Sequence, residues 1–413
     1  MPDSNIKLFS FQKFYPIEIV KAKKQYVWDS SGKKYIDFNT GNGIGFLGHG
    51  NPFVLRKIKE ALSTIYILPP SFKSPIKEEA LESLARIAPK NLDSLALLNT
   101  GSEAVELALK LLYKYKGKDK KVVYFTNSFH GRTLGALSIT SSNPAYNKDF
   151  PLLNNTLILP YNDVYALDNA SFENVAGVII EIIQGEGGVI PAKEEFLKTL
   201  YEKCQANDAP LIIDEIQTGF GRTGKLWAFM HYNIKPDILL AGKSIGGGIP
   251  VSVVFAREEI SSKLEAHEHG STFGFNPIAA AGVAGAIEAY FKLDVESKVH
   301  RKSEYLINKI QEAIRDVPHA SVRGKGLMIG ISQRDQINFI FSCLIKKGVI
   351  ISRAARNTVR LLPSFLITKK DIEVFTKGIK ECWEEANGER VTEENSVRIS
   401  SNTLNVWYGA KSS

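Results

Sequence analysis

The feature that most constrains the fold is an alternation, in the middle of the chain, between short apolar runs and amphipathic segments. The segments 102–116 and 194–207 have the apolar period of helices. The runs around them are rich in Val, Ile and Leu and are typical of buried strands. They lie at 95–99, 121–125, 175–183, 209–215, 236–241 and 251–256. This alternation predicts an α/β fold with a mainly parallel sheet that helices cover on both faces.

The two ends of the chain predict a second, smaller α+β domain. Residues 24–38 are typical of a β-hairpin with its turn at Ser31 and Gly32. From about residue 296, a long polar helix is followed by short strands and a further helix. The expected division is 1–52 and 296–386 for the smaller domain, 53–295 for the large domain and 387–413 for an irregular tail.

Composition and charge limit the partners of the chain. Of its 413 residues, 44% are hydrophobic and 23% charged, as in an ordinary globular protein. The net charge of +8 favours anionic partners such as phosphates, dicarboxylates or an acidic protein, although scattered surface lysines give the same total. No nucleic-acid-binding motif accompanies the charge, so we expect no nucleic-acid partner.

The cysteines and the apolar runs bear on location. The N-terminal segment lacks the apolar stretch of a secretory signal, and the apolar runs are too short to span a membrane. Cys204, Cys343 and Cys382 lie far apart in the sequence, which predicts neither a disulfide framework nor a zinc site. We therefore expect a cytoplasmic protein in a reducing compartment.

Polar residues directly after the predicted strands are the candidates for a ligand site, because ligands of parallel sheets bind beyond the carboxyl ends of the strands. Gly101 allows a tight turn, and Ser102 is expected at the N-cap of the next helix, where it serves either as a phosphate site or as an ordinary cap. After the second run, Phe129 is suited to stacking on a planar ring and Arg132 to binding a carboxylate. His130 has either a catalytic or a stacking and hydrogen-bonding role.

Acidic residues follow the next two runs. Glu181 and Glu186 lie in a glycine-rich bend, where backbone and ligand can approach closely. Asp214 ends an apolar run, and a carboxylate in that position is costly unless a cationic group pairs with it. Gln217 lies three residues further on and is expected to point into the same cleft.

The stretch "GKSIGGGIP" follows the run 236–241 and places Lys243 at the mouth of the sheet. A phosphate-binding loop is excluded by spacing, because Asp237 stands where that motif needs a glycine and a strand stands where it needs a flexible loop. A solvated loop lysine is the simplest alternative. The remaining interpretation is a lysine that forms a Schiff base with pyridoxal phosphate. A site for that cofactor also needs a carboxylate for the ring nitrogen, a cradle for the phosphate and an aromatic side chain that stacks on the ring. The strand-end residues supply all three.

Seven motifs in a consistent order resemble one known family. They are "GHGNP" (48–52), "FHGRT" (129–133), "QGEGG" (184–188), "DEIQTGFGRTG" (214–224), "GKSIGGGIP" (242–250), "HGSTFGFNP" (269–277) and "VRLLP" (359–363). Together they resemble the class III aminotransferases over roughly residues 15–385. The resemblance implies the type I pyridoxal-phosphate fold, with a mainly parallel seven-stranded sheet. It also implies a homodimer with active sites at the subunit interface.

The resemblance implies roles toward the cofactor, pyridoxal 5'-phosphate. Lys243 forms the Schiff base and transfers the proton during transamination. Asp214 pairs with the pyridine nitrogen, Gln217 contacts the phenolic oxygen and Phe129 stacks on the ring. Other implied cofactor contacts come from Gly101, Ser102, His130 and, from the neighbouring subunit, Thr272. No metal is implied.

The resemblance also implies roles toward the substrates. Arg360 binds the α-carboxylate of glutamate, and Glu186 pairs with Arg360 when an ω-amino substrate is bound. Arg132 holds the far carboxylate of that substrate, and Ser271 is a further substrate contact. Three departures stand near these residues: Ile182 where the family usually has proline, Phe275 in place of a common glycine and Ser364 in place of a frequent second proline.

Within the family, the chain is most similar to archaeal enzymes of lysine and arginine biosynthesis that act on a substrate held by a small acidic carrier protein. This implies transamination from glutamate, which becomes 2-oxoglutarate, to a carrier-bound aminoadipate or glutamate semialdehyde. The alternatives are the same reaction on free N-acetylglutamate semialdehyde, 4-aminobutyrate transamination and a non-catalytic protein. The presence of Lys243, Asp214 and Gln217 together argues against the last.

Overall fold

The structure is a computed structural model that describes residues 17–333 and 336–395, together with Phe9, Phe11, Phe14 and Tyr15; side chains are described as far as residue 386. The strands are β1 Ile19–Lys23, β2 Tyr26–Asp29, β3 Lys34–Asp37, β4 Ser94–Leu98, β5 Lys121–Phe125, β6 Thr156–Leu159, β7 Val175–Ile180, β8 Ile183–Gln184, β9 Ile190–Pro191, β10 Leu211–Asp214, β11 Ile238–Ala241, β12 Ser252–Ala256, β13 Ser321–Lys325, β14 Met328–Ser332, β15 Val349–Ile350, β16 Ser352–Ala354 and β17 Thr358–Leu361. The helices are α1 Pro52–Thr64, α2 Pro75–Ala85, α3 Gly101–Lys116, α4 Leu134–Ser138, α5 Val164–Asn169, α6 Glu194–Ala206, α7 Glu258–Ser261, α8 Pro277–Lys292, α9 Val295–Ile314, α10 Ile337–Lys346 and α11 Lys369–Asn395.

A seven-stranded sheet forms the centre of the molecule, in the order β4-β12-β11-β10-β7-β5-β6. Only β12 runs against its neighbours β4 and β11, so the predicted mainly parallel sheet is confirmed. The strand β6 is not among the apolar runs found in the sequence. It lies at the edge of the sheet, and an edge strand needs a weaker apolar pattern than a central one.

Apolar residues on both faces of the sheet explain why its strands are so hydrophobic. Every residue of β7 and β11 is buried. On one face, Leu107 and Leu111 of α3 pack over Ile212 and Ile238. The other face packs against a larger cluster that continues into the C-terminal helices. The strand β10 pairs with β11 so that Asp214 lies beside Leu240, and the residues that follow the two strands therefore emerge side by side.

The chain ends build two smaller sheets. The hairpin β2–β3 pairs through β3 with β15, so the N-terminal segment joins a strand some 310 residues later: Ile36 lies opposite Val349. The second sheet has the order β13-β14-β17-β16 and carries Arg360 on β17. The helix α11 continues to Asn395, so the first part of the segment expected to be an irregular tail is helical; residues 396–413 lie outside the described residues.

Two expectations about single residues are wrong. The N-cap of α3 is Thr100, two residues before Ser102, because the Thr100 hydroxyl and the Glu103 carboxylate form a reciprocal capping box there. Cys343 and Cys382 form a disulfide bond, although 39 residues separate them. Packing of α10 against α11 brings the two cysteines together, and sequence spacing cannot reveal such proximity.

Of the helices within the described ranges, none combines the length and apolar character needed to cross a bilayer.

Candidate active site

A cavity of about 330 Å³ lies at the carboxyl ends of the large sheet. Residues at strand ends line it: Asn99, Thr100, Gly101 and Ser102 after β4; Phe129, His130, Gly131 and Arg132 after β5; Glu181 after β7; Glu186 between β8 and β9; Asp214 at the end of β10, with Ile216 and Gln217 after it; and Lys243 after β11. The structure therefore brings together the site residues that the sequence indicates within one chain, apart from Arg360, Ser271 and Thr272. Because all of these side chains except Glu186 lie at or after the ends of strands of one sheet, the fold itself places them at a common edge.

Lys243 begins a 3-10 turn directly after β11. Its backbone has a φ of 49°, in the left-handed region that residues other than glycine seldom adopt, and such strain is common at functional sites. Burial lowers the pKa of the amine to about 8, the Glu186 charge opposes this shift and the Arg360 charge adds to it. Near neutral pH, more of this amine is therefore uncharged and nucleophilic than for an ordinary lysine, although the charged form still predominates.

The carboxylate of Asp214 lies beside the ring of His130. Its Oδ2 lies 2.7 Å from Nδ1 of His130, and its Oδ1 accepts a hydrogen bond from the Ile216 amide. Both side chains are buried, and the other ring nitrogen of His130 has no hydrogen-bond partner among the described residues. The structure thus gives His130 a hydrogen-bonding position beside the carboxylate, where it fixes the orientation of Asp214.

The start of α3 forms a narrow cradle. The first turn lines the cavity, and the positive end of the helix favours an anion there. Two glycines keep the cradle open. A Cβ on Gly131 would meet the Ser102 hydroxyl at 2.3 Å, and one on Gly101 would meet Ile216 at 2.9 Å. The space between Gly101, Ser102 and Gly131 therefore suits a phosphate group that approaches the backbone closely.

Arg360 is buried, with 2% of its side chain exposed, and forms an ion pair with Glu186. Its guanidinium also lies 3.4 Å from Gln217 Oε1 and 3.4 Å from Asn42 Oδ1. The sequence pattern did not single out Asn42, which lies in a glycine-rich stretch near the N-terminus. Since the N-terminal segment, the large sheet and β17 all contribute groups, this part of the site exists only in the folded chain.

Glu181 has a structural position that the sequence did not reveal. Its two carboxylate oxygens accept hydrogen bonds from the amides of Phe129, at 3.0 Å, and Gly185, at 3.3 Å. Burial raises its pKa to about 7, an effect that the neighbouring His130 opposes. One carboxyl group therefore links the loop that carries Phe129 to the loop that carries Glu186.

Two predicted residues lie apart from this cavity. The Ser271 hydroxyl accepts a hydrogen bond from the side-chain amide of Asn99 at 2.8 Å and donates one to the Glu103 carboxylate at 3.1 Å, beside the start of α3. Thr272 is exposed and is not among the residues that line the cavity. Arg132, in contrast, lines the mouth of the cavity and is exposed.

This arrangement can be compared with known proteins. Residues 10–383 match the family model described as aminotransferase class-III. The chain belongs to this family. It is 47% identical over 367 residues to the LysW-aminoadipate semialdehyde/glutamate semialdehyde transaminase of Sulfolobus acidocaldarius, covering 88% of this chain and 94% of that protein. It is 39% identical over 366 residues to the acetylornithine aminotransferase of Bacillus anthracis, with coverages of 88% and 94%.

Solved structures agree with the family assignment. The ornithine aminotransferase of Toxoplasma gondii ME49 superposes with a TM-score of 0.88 at 30% identity, covering 92% of this chain and 94% of that chain. This class-III aminotransferase accordingly has the type I fold and depends on pyridoxal phosphate.

The residues present fit that cofactor. The cradle at Gly101, Ser102 and Gly131 suits its phosphate, and a side chain at either glycine would collide with neighbouring groups. The buried Asp214 carboxylate suits a protonated pyridine nitrogen, and the Lys243 amine suits the aldehyde. The Phe129 ring lines the same cavity.

Proposed function

We propose that this enzyme transfers an amino group from glutamate to a terminal semialdehyde held by a small acidic carrier protein, in lysine or arginine biosynthesis. The observation that carries the proposal is the contrast between two arginines. Arg360 is buried and paired with Glu186, whereas Arg132 is exposed at the cavity mouth. A site that accepts glutamate and an ω-amino substrate in turn needs a group for the α-carboxylate of glutamate, and that group must be neutralised when the ω-amino substrate, which has no carboxylate there, is bound.

The residues of the chain supply the following actions. Pyridoxal phosphate, when bound, supplies an electron sink for the negative charge that develops at the substrate Cα. Lys243 Nζ accepts the proton from that Cα and later returns a proton, a role suited to an amine with a pKa near the working pH. Asp214, oriented by His130, would hold the ring nitrogen of the cofactor, and Gln217 would hold its phenolic oxygen.

The Glu186–Arg360 pair selects between the two substrates. When glutamate binds, Glu186 turns away and Arg360 binds the α-carboxylate. When the ω-amino group of the other substrate enters, the ion pair closes, and Arg132 at the mouth binds its distant carboxylate. The two substrates thus occupy the same site one after the other, which predicts ping-pong kinetics.

The carrier is supported by the names of the relatives and by the charge of the chain. The 47% and 45% identical proteins of Sulfolobus acidocaldarius and Sulfurisphaera tokodaii are named for LysW-bound substrates. A chain with net charge +8 is suited to an acidic protein partner. The alternative is free acetylornithine, for which the 39% identical relatives are named; 4-aminobutyrate is a further alternative.

The deciding measurement is kcat/KM for carrier-bound against free acylated lysine and ornithine at increasing salt. We expect a preference for the carrier-bound compound that weakens as salt rises, because salt screens attraction between the two proteins. A preference for the free compound that is insensitive to salt would reject the carrier.

We further propose a cytoplasmic homodimer in which Thr272 of each subunit reaches the cofactor phosphate of the other. The exposed position of Thr272 and the neighbouring Phe273, whose side chain is 71% exposed, support a subunit contact there. The disulfide does not conflict with a cytoplasmic location, because intracellular proteins of hyperthermophiles are often rich in disulfides.

A further inference from the structure

The guanidinium of Arg132 is held by an aromatic ring rather than by a carboxylate. Whereas Arg360 pairs with Glu186, no described carboxylate forms an ion pair with Arg132. Its guanidinium carbon lies 3.4 Å from the centroid of the Tyr146 ring and 5.7 Å from that of Phe129. At 3.4 Å the planar cation lies directly on the tyrosine face, while the Phe129 ring is only at the outer limit of such a contact.

The position of Tyr146 is fixed relative to the cofactor-facing loop. Tyr146 ends a short 3-10 turn, Pro144–Tyr146. The next residue, Asn147, donates a hydrogen bond to the Thr140 carbonyl at 2.7 Å. The Thr140 hydroxyl in turn accepts one from the His130 amide at 2.9 Å. The segment that carries the Tyr146 ring and the loop that carries Arg132 are therefore both hydrogen-bonded to Thr140.

An exposed arginine without such a contact would sample many rotamers, and binding a carboxylate would then require ordering it. Stacking leaves the edge of the guanidinium free for a carboxylate, because the ring covers its face and not its N–H groups. No described residue forms a hydrogen bond with the Tyr146 hydroxyl, so the ring alone makes the contact.

We propose that Tyr146 is a positioning residue that preorients Arg132 and thereby sets the affinity for the substrate whose carboxylate lies far from its reacting amine. This inference rests on the proposed function of Arg132. Glutamate keeps the contact of its α-carboxylate with Arg360 in that proposal, so it depends on Tyr146 only through its γ-carboxylate and is expected to be affected less.

The test is to measure the two half-reactions separately by the visible absorbance of the bound cofactor. One uses glutamate, and the other uses the acyl-ornithine substrate, free or carrier-bound, that the wild-type enzyme converts fastest. In Tyr146→Leu we expect the KM for the acyl-ornithine to rise about 3- to 30-fold, the range of a cation–π contact, with little change in maximal rate. The KM for glutamate should rise clearly less, because Arg360 still binds its α-carboxylate.

Matched variants separate the possible results. Tyr146→Phe keeps the ring and should restore the low KM. Tyr165→Leu removes a tyrosine that is 81% exposed on α5 and should change neither half-reaction. Equal losses in both half-reactions of Tyr146→Leu would indicate general damage and overturn the inference. If Arg132→Leu impairs the acyl-ornithine reaction while Tyr146→Leu does not, the inference about Tyr146 is wrong and the proposed function of Arg132 stands. If Arg132→Leu has no effect, the proposed function of Arg132 fails with it.

Discussion

At the scale of single residues, Lys243 combines three properties that a solvated loop lysine lacks. Its backbone is in a strained left-handed conformation, its amine is partly buried, and acidic and basic groups surround it. Burial is the largest cause of its lowered pKa, and the charge on Glu186 is the largest of the causes that oppose it. The surroundings of the lysine thus set both its reactivity and the pH at which it acts.

The first prediction follows from the lowered pKa of Lys243, about 8. Only the neutral amine attacks the cofactor aldehyde, so the rate at which the cofactor-free enzyme captures pyridoxal phosphate should rise with pH and reach half its maximum at about pH 8. Stopped-flow absorbance measures this rate.

Two variants check the cause. Glu186→Gln removes a negative charge that favours the ammonium form, so the midpoint should fall below that of the wild type. Lys243→Ala should show no borohydride-stable attachment of the cofactor at any pH. A wild-type midpoint near the ordinary value for lysine, about 10.4, would contradict the assignment.

At the scale of elements, α3 illustrates how a helix end becomes a binding surface. Its capping box uses the Thr100 hydroxyl and the Glu103 side chain to satisfy amides of the first turn. Glu103 also accepts hydrogen bonds from Asn99 and Ser271, which ties the preceding strand and a distant loop to the cap. The amides of Gly101 and Ser102 are therefore presented to the cavity by a rigid turn.

Removing this cap should weaken both stability and cofactor binding. Thr100→Ala should lower the free energy of unfolding by about 1 kcal/mol, the usual cost of losing an N-cap, and should also lower the affinity for pyridoxal phosphate. Chemical denaturation and cofactor titration measure the two effects. The control is Thr64→Ala at the end of α1, an exposed position that should be nearly neutral in both assays. An unchanged cofactor affinity in Thr100→Ala would contradict the role of the cap.

The loop between β8 and β9 carries Glu186, and hydrogen bonds from two other segments hold its backbone. The Glu186 carbonyl accepts a hydrogen bond from the Ala355 amide at 2.9 Å, and Arg323 donates to the Gly188 carbonyl at 2.8 Å. Val189 has a φ of 54°, which is unusual for a β-branched residue. With the backbone held in this way, we expect the proposed exchange of partners by Glu186 to be a rotation of its side chain and not a movement of the loop.

At the scale of the whole molecule, Arg222 joins the parts of the chain that build the site. Its fully buried guanidinium donates to the carbonyls of Gly43, Leu327 and Pro363, and burial lowers its pKa to about 9. Gly43 also accepts a hydrogen bond from Ser244, the neighbour of Lys243. The N-terminal segment and the C-terminal domain are thereby fixed against the strand end that carries the lysine.

The disulfide between Cys343 and Cys382 gives the last prediction. Titration of thiols in denaturant without reductant should find one per chain, from Cys204, and three after reduction. Reduction should lower the free energy of unfolding by about 2–4 kcal/mol, the usual contribution of a bond of this kind. In Cys382→Ser, which lacks the bond, the same reductant should leave the free energy of unfolding unchanged. This variant controls for any effect of the reductant on other parts of the protein. Three free thiols before reduction would show that the bond is absent.

The sequence by itself determined the α/β class, the strands of the large sheet and the residues at their ends, because a buried parallel sheet requires continuous apolar runs and exposes ligands at one edge. It also determined the family, since its motifs keep their order and spacing. Only the tertiary structure decided what joins distant segments: Asp214 with His130, Glu186 with Arg360, Tyr146 with Arg132, and Cys343 with Cys382. Each of these contacts depends on how elements pack in space, and periodicity along the chain carries no information about that.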